Sequence, residues 1–330
     1  MQDIAPGRIK LSVDEAHDLS MCALRGLGYD DTDAGLITDH VLDAALCGYE
    51  YSGLAKILNV AADPRLKKPR TPPAVIQETP VSIQMDGGNN NGMVAMFHAA
   101  EAAIGKARES GIGLVSLSNS WMSGRHAYFA EHIARADLIG IQLESTRSPS
   151  VAPPGARQGA LGTNPIAFGI PTADGPFVFD MGTAALMSTD LALRVLTGQS
   201  LPEGVAIDPD GMPTQDPVAA KAGALLTFGG YKGFGLSLVV QLFGVLAGCV
   251  APSERPHGAV IIAFRPDLVA PLDVFKQQAT AMVDSVRATP AQAGMDSIRL
   301  PSERAFASRE LLTNEGIEID KLVYDALLAF

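Results

Sequence analysis

A lysine set among glycines is the first feature of this sequence suited to chemistry. Gly230-Tyr231-Lys232-Gly233-Phe234-Gly235 leads into an apolar stretch that reads as a helix. A lysine beside the free N–H groups of a helix start suits a phosphate. The spacing is not the dinucleotide fingerprint, because no clear strand precedes it and no suitably placed acid follows; a Rossmann domain is disfavoured. The string reads equally as a glycine-rich helix start packed closely on a neighbour. Ser118-Asn119-Ser120 and Gly162-Thr163-Asn164-Pro165 read as turns that present donors at strand ends, where ligand sites of α/β proteins lie. Asn, Ser and Gly also favour turns for purely conformational reasons, so neither string signals a ligand by itself. Asp180, after Phe177-Val178-Phe179, is expected at the C-terminal end of a strand, as an acid orienting a proton donor or cofactor group, or as an N-cap for the segment that follows. None of the six histidines forms HxH or HExxH, so no metal site is expected. His17, His40, His98 and His132 fall in predicted helices as surface or packing residues, whereas His126 follows the turn at Gly124, beside a candidate ligand loop.

The elements that must position these residues follow from periodicity and caps. Ser12-Val13-Asp14-Glu15 is a capping box that predicts a helix to about Arg25, and Asp31-Thr32-Asp33 opens a second helix that ends near Gly48. A proline-rich connection spans 64–80. An alanine-rich helix is predicted over 93–110 and stopped by Gly111, then a strand over 112–117, a helix over 126–134, and strands over 138–143 and 177–179. A long buried helix is predicted within 223–248, a strand over 260–264, and a tail from Asp267 in three helical pieces broken near Pro290 and Pro301. This mixture fits an α/β or α+β protein without settling strand order.

Composition narrows the class. The chain has 330 residues, more than one core usually serves, so two domains and a small third unit are expected. With 47% apolar and 18% charged residues, disorder and coiled coil are excluded, and the absence of a short repeat argues against a solenoid. The net charge of -11 argues against nucleic acid or an anionic membrane as partner. Three widely spaced cysteines give neither a disulfide framework nor a zinc site. No apolar leader follows Met1, and the greasiest stretch, 234–250, is interrupted by Ser237, Gln241 and glycines; a cytoplasmic protein without a membrane span is expected.

Taken together, the strings resemble the malate/L-lactate dehydrogenase family, NAD(P)-dependent oxidoreductases without a Rossmann fold that act on malate, sulfolactate and cyclic imino acids, among others. Ala152-Pro153-Pro154-Gly155 with Leu161-Gly162-Thr163-Asn164-Pro165-Ile166-Ala167 is similar to that family's APWGG and LGTNPIA run. Phe179-Asp180-Met181-Gly182-Thr183-Ala184, Asp208-Pro209-Asp210-Gly211-Met212-Pro213-Thr214, Gly229-Gly230-Tyr231-Lys232-Gly233 and Pro301-Ser302-Glu303-Arg304 follow in the family's order. The resemblance implies an α/β fold with a mixed, largely antiparallel sheet and a small N-terminal helical unit. It divides the chain into residues 1–57, carrying substrate-site residues, a scaffold and dimerisation domain of 58–118 and 257–330, and an NAD(P)-binding domain of 119–256. It implies a homodimer, a small anionic substrate, and NADPH or NADH held by Ser120, Gly124, Thr163, Asn164, Pro165, Asp180, Met181, Gly182, Thr183, Tyr231, Lys232, Gly233, Ser302, Glu303 and Arg304. It does not choose between the two dinucleotides; Arg147, Arg157 and Lys232 are candidates for a 2′-phosphate.

The departures bear on mechanism. Where the family has a histidine that donates a proton and an arginine four residues on, Glu50-Tyr51-Ser52-Gly53-Leu54-Ala55-Lys56 places Ser52 and Lys56. A second family histidine is replaced by Met122. Reducing a ketone creates an alkoxide that needs a proton, and acid catalysis is worth about 10²–10⁴ in rate. A cyclic imine can enter as the iminium, already protonated. The expectation is therefore a reductase of Δ1-pyrroline-2-carboxylate or its six-membered homologue, with Lys56 on the substrate carboxylate, Ser52 and Tyr51 orienting substrate or relaying through water, and Asp180 facing the iminium. The alternative is a malate- or lactate-type 2-hydroxy-acid dehydrogenase in which His126 or a water is the acid. A third is a catalytically degenerate cofactor-binding protein.

Overall fold

The structure is a computed structural model that describes residues 7–146, 149–249, 257–295 and 297–330; Arg147 and Val250 lie outside them. A strand, β1 (Arg8–Leu11), leads into α1 (Val13–Gly26) and α2 (Asp31–Leu46). The capping box forms: Glu15 N–H donates to Ser12 Oγ at 3.2 Å, and Ser12 N–H donates to the Glu15 carboxylate at 2.7 Å. Asp30 caps α2 by accepting from Asp33 N–H at 2.9 Å. A 3₁₀ turn, Glu50–Ser52, enters α3 (Ala55–Ala62). The chain then builds β2 (Ala74–Glu78), β3 (Ser82–Asn91), α4 (Gly92–Ser110), β4 (Ile112–Trp121), α5 (His126–Arg135), β5 (Ile139–Thr146), β6 (Val151–Ala152), β7 (Ile166–Ile170) and β8 (Phe177–Met181). It continues through α6 (Ser188–Thr197), β9 (Ala206–Ile207), α7 (Pro217–Ala222), β10 (Ala224–Leu226), α8 (Tyr231–Phe243), β11 (His257–Phe264), α9 (Leu272–Arg287), α10 (Glu303–Glu315), β12 (Ile317–Asp320) and α11 (Lys321–Leu327).

Seven strands form the main sheet in the order β2-β3-β4-β11-β5-β7-β8. Only β3 and β4 run parallel; every other neighbouring pair is antiparallel. The sheet is thus mixed and largely antiparallel, as expected, and differs from the all-parallel dinucleotide fold. α4 and α5 share a core with it, in which Met96, Ala100, Phe129 and Ile133 meet Val115, Leu117 and Ile261. β6, β10 and β9 make a small second sheet, whose residues Val151, Ala206 and Leu225 join a core with Leu191 of α6. β1 pairs antiparallel with β12, so the last residues of the chain return to the first: Leu11, Leu24, Ile37, Ile57, Ile319, Val323 and Leu327 lie in one core. The N-terminal helices therefore share their interior with β12 and α11.

Several elements differ from expectation. Ser118-Asn119-Ser120 is not a turn. β4 runs on to Trp121 because its pairing with β3 resumes at Asn90 and Asn91, and Asn119 takes a φ of 54° while donating to Asp86 Oδ1 at 2.6 Å. The predicted long buried helix within 223–248 is interrupted: β10 occupies 224–226, and α8 begins only at Tyr231. One side of α8 buries Ser237 and Val240, and the rest carries Leu238, Val239 and Leu242 exposed. The sequence there is apolar all round for two different surfaces, which periodicity reads as full burial. β1, β2 and β12 were not predicted, being four or five residues long and defined by pairing rather than by local pattern. Among the described residues, no helix is long and apolar enough to cross a membrane.

α5 is held very near the sheet because β7 offers it a glycine. A methyl group added at Gly169 would lie 2.0 Å from the Ala130 carbonyl oxygen. Gly169→Ala should push α5, and His126 at its start, off the sheet and lower stability by about 1–3 kcal/mol. Urea unfolding of the variant checks this.

Candidate active site

Two cavities meet at the N-terminal end of α5. The first, about 400 Å³, is lined by Tyr51, Ser52, Gly124, His126, Asp180, Met181, Gly182, Ser302 and Arg304, together with Arg299. Asp180 lies inside β8, and its Oδ2 accepts from Ala127 N–H at 2.8 Å. It thus caps α5 from across the cleft, since Arg125 at the N-cap position brings no accepting side chain; it does not cap the segment after itself. Ser52 is buried, and burial raises the Tyr51 hydroxyl's pKa well above that of an ordinary phenol, so Tyr51 is a donor at neutral pH. Arg125 pairs with Asp43 at 2.6 Å. Arg299 and Arg304 have no carboxylate partner among the described residues, and the Arg304 guanidinium lies 5.6 Å from the centre of the Tyr49 ring.

The second cavity, about 290 Å³, shares Gly124, Pro165 and Met187 with the first. Its charged lining is Lys56, Arg65, Glu144 and His257. Lys56 is only 5% exposed and has neither hydrogen bond nor ion pair among the described residues. Burial brings its pKa down to about 8, against the pull of the Glu144 charge. Glu144 Oε2 accepts from the Ser123 hydroxyl and lies 3.1 Å from His126 Nε2. Burial works to raise the Glu144 pKa, but the His126 hydrogen bond and charge, then His257 and Ser123, outweigh it, so the carboxyl sits below its usual range and is ionised. His257 is held below its usual value by burial, with Glu144 opposing. Arg65 is engaged by Asp63 at 2.7 Å.

His40 holds the wall between the cavities. It is fully buried, its Nε2 accepts from Arg125 N–H at 2.8 Å, and burial followed by the charges of Lys56, Arg125 and His126 keeps it neutral. Gly124 lies directly against it, at a φ of 82°; a methyl there would come within 2.2 Å of His40 Nε2.

The structure gathers Tyr51, Ser52, His126 and Asp180 around the first cavity and places Lys56 and Thr163 on the second, with Pro165 on both. Asp180 and Lys56 therefore do not line the same chamber. The Thr163 carbonyl accepts from Thr183 N–H at 2.8 Å and from the buried Thr183 hydroxyl at 3.0 Å, tying two predicted segments together. Asn164, at a φ of 36°, is buried and donates to Ser237 O at 3.0 Å and to Gln241 Oε1 at 3.1 Å, so its side chain anchors α8. Ser120, Tyr231, Lys232 and Gly233 line neither cavity; Tyr231 is 78% exposed. Phe228 N–H donates to Thr183 O at 3.1 Å and brings the start of α8 beside the Asp180–Thr183 segment. Glu303 is engaged by Arg287 at 2.8 Å and accepts from Leu300 N–H at 2.8 Å, whereas Ser302 and Arg304 line the cleft.

Glu144, His257, Ser123 and Arg65 escaped the sequence reading. The β5 strand was expected to stop at Leu143, yet its pairing with β11 continues to Thr146, opposite His257. Alternation along β5 then puts Glu144 and Thr146 on one face, and an acid two residues beyond buried Gln142 was the available signal. Among the described residues, no group of three His, Cys, Asp or Glu side chains is arranged to hold a metal ion.

A nicotinamide dinucleotide presents a pyrophosphate, ribose hydroxyls and an amide. Arg299 and Arg304, without a carboxylate partner among the described residues, and the Ser52 and Ser302 hydroxyls on the same cleft are a donor set that fits it. This donor set is that of a cleft for an anionic ligand. Residues 11–328 match the malate/L-lactate dehydrogenase family, and the chain belongs to that family. The L-sulfolactate dehydrogenase of Methanocaldococcus jannaschii is 30% identical over 316 residues, covering 92% of this chain and 91% of that protein. The Δ1-pyrroline-2-carboxylate reductase of Pseudomonas fluorescens is 31% identical over 328 residues, 95% of this chain and 96% of that one. The crystal structure of a dehydrogenase from Sinorhizobium meliloti superposes with a TM-score of 0.89 at 30% identity, covering 98% of each chain. Membership in this family implies a nicotinamide cofactor.

Lys56 carries its charge below about pH 8 and loses it above. Affinity for a small carboxylate should fall as pH rises through that value. Lys56→Met should abolish the step and weaken carboxylate binding roughly tenfold or more. Calorimetric titration across pH 6–10 checks both expectations.

Proposed function

We propose that this oxidoreductase reduces a small cyclic 2-imino acid, Δ1-pyrroline-2-carboxylate or Δ1-piperideine-2-carboxylate, using NADPH or NADH. The observation that carries the reading is the state of the one imidazole on the first cavity. His126 Nε2 is committed to Glu144 and Ser123, while a serine, Ser52, stands where the family's proton donor would be. A serine hydroxyl is too weak an acid to protonate an alkoxide in the transition state. An iminium brings its own proton and needs none.

The roles follow from placement. Arg299, Ser302 and Arg304 hold the phosphates and hydroxyls of the dinucleotide, and the chain segment 119–256 supplies much of the rest of its binding surface. The bound cofactor supplies a hydride. Lys56 meets the substrate carboxylate as a point charge. Ser52 and Tyr51 orient the ring or a water, and Asp180 holds the start of α5 that borders both chambers. Met187 and Pro165 between the chambers restrict water at the reacting carbon. A second copy of the chain covers the exposed apolar side of α8, giving the homodimer that the resemblance implies.

Ketone reduction is the second reading, favoured by the sulfolactate relative and by Lys56, whose pKa of about 8 suits a proton donor. Purified protein assayed with NADPH and NADH against Δ1-pyrroline-2-carboxylate, pyruvate and oxaloacetate separates the two. The expected result is turnover of the imine at least about a hundredfold above either ketone. Ketone turnover without imine turnover, lost in Lys56→Met, would establish the second reading.

A further inference from the structure

The second cavity carries two opposite charges that do not neutralise each other. Lys56 and Glu144 both line it, and no ion pair joins them. Lys56 is buried, the Glu144 side chain is 12% exposed, and each has free capacity. Lys56 has no acceptor among the described residues. Among the described residues, Glu144 is fixed through Oε2 by the Ser123 hydroxyl and His126 Nε2, while Oε1 accepts no hydrogen bond; His257 Nδ1 is 3.9 Å from it, too far for one. The other charged group on the lining, Arg65, is taken up by Asp63. A carboxylate oxygen that faces a cavity without a protein donor is open to a donor from what enters.

We infer that Glu144 is the counter-ion for the substrate's ring nitrogen, and that Lys56 and Glu144 together select a zwitterion: a carboxylate beside a positively charged nitrogen. This rests on the imino-acid reading and names the residue that reads the imine. An iminium N–H donates to Oε1 and matches its charge. A 2-oxo acid would offer Oε1 only a carbonyl oxygen, an acceptor facing an acceptor, and the alkoxide formed from it would meet a like charge. In the imine reaction, hydride reaches the ring carbon, the C=N π pair moves onto nitrogen, and the product is a neutral secondary amine; the dinucleotide is oxidised and no proton is consumed. The amine keeps its N–H toward Glu144. Lys56 and Glu144 thus bind the two neighbouring charges of one small molecule, and Glu144 holds the imine in its reactive, protonated form.

The test uses binding, with saturating NADPH or NADH present so that no reaction can occur. Calorimetry compares L-proline, a zwitterion; cyclopentanecarboxylate, the same ring and carboxylate without nitrogen; and pyrrolidine, the ring nitrogen without carboxylate. Wild-type protein should bind L-proline roughly tenfold or more tighter than either analogue. Glu144→Gln should bring L-proline to the level of cyclopentanecarboxylate without weakening the latter. Equal binding of the two carboxylates, no binding of L-proline, or an unchanged preference in the variant overturns the inference. If Glu144→Gln does not fold, as judged by its melting curve, the wild-type comparison decides. The outcome is independent of the substrate panel: imine turnover without a proline preference sinks the role of Glu144 alone, whereas ketone turnover alone sinks the imino-acid reading.

Discussion

A carboxylate drawn away from water must find compensating donors, and around Glu144 this demand organises the centre of the molecule. His126 and Ser123 meet one of its oxygens, which fixes both ends of the short segment that enters α5. That segment in turn needs Gly124 in its left-handed conformation and His40 behind it. His40 comes from α2 and Glu144 from β5, so the helical N-terminal unit and the sheet are locked together through one small polar knot. Low dielectric makes each of these contacts stronger than it would be at the surface, and makes any unpaired member more costly.

The same economy of donors explains residues that resemblance alone would assign to ligand binding. Asp180 satisfies an orphan N–H of α5, and Asn164 spends its amide on α8. A string that recurs in a family can be retained because it holds the walls of a cleft as much as because it touches what enters. For Asp180 both uses are compatible, since its residue also lines the first cavity; for Asn164 the side chain is occupied, leaving only its backbone for a ligand.

What was legible in the sequence was local. The Ser12 capping box, the start of α2 near Asp31, the glycine stop after α4 and the helix that starts at His126 are decided within a few residues and appear in the structure where the sequence placed them. The mixed, largely antiparallel sheet was legible only through family strings, because strand order depends on partners far along the chain. The same dependence hid the final residues of β4 and β5, which are strand only because β3 and β11 run beside them. Glu144 and His257 come together through that pairing, more than a hundred residues apart in sequence, so no spacing pattern announces them. α8 misled for another reason: helical periodicity cannot distinguish a face turned to a core from one turned to solvent in a single chain.

The pairing of the first strand with the last has a consequence for how the protein comes into being. α3, which carries Lys56, rests in a core completed by Ile319, Val323 and Leu327. During synthesis the N-terminal helices emerge about 250 residues before the segment 317–327 that closes their interior. Contacts of such long sequence separation form late and slowly. The lysine is therefore seated only once the segment 317–327 has been made and has folded back onto the first helices.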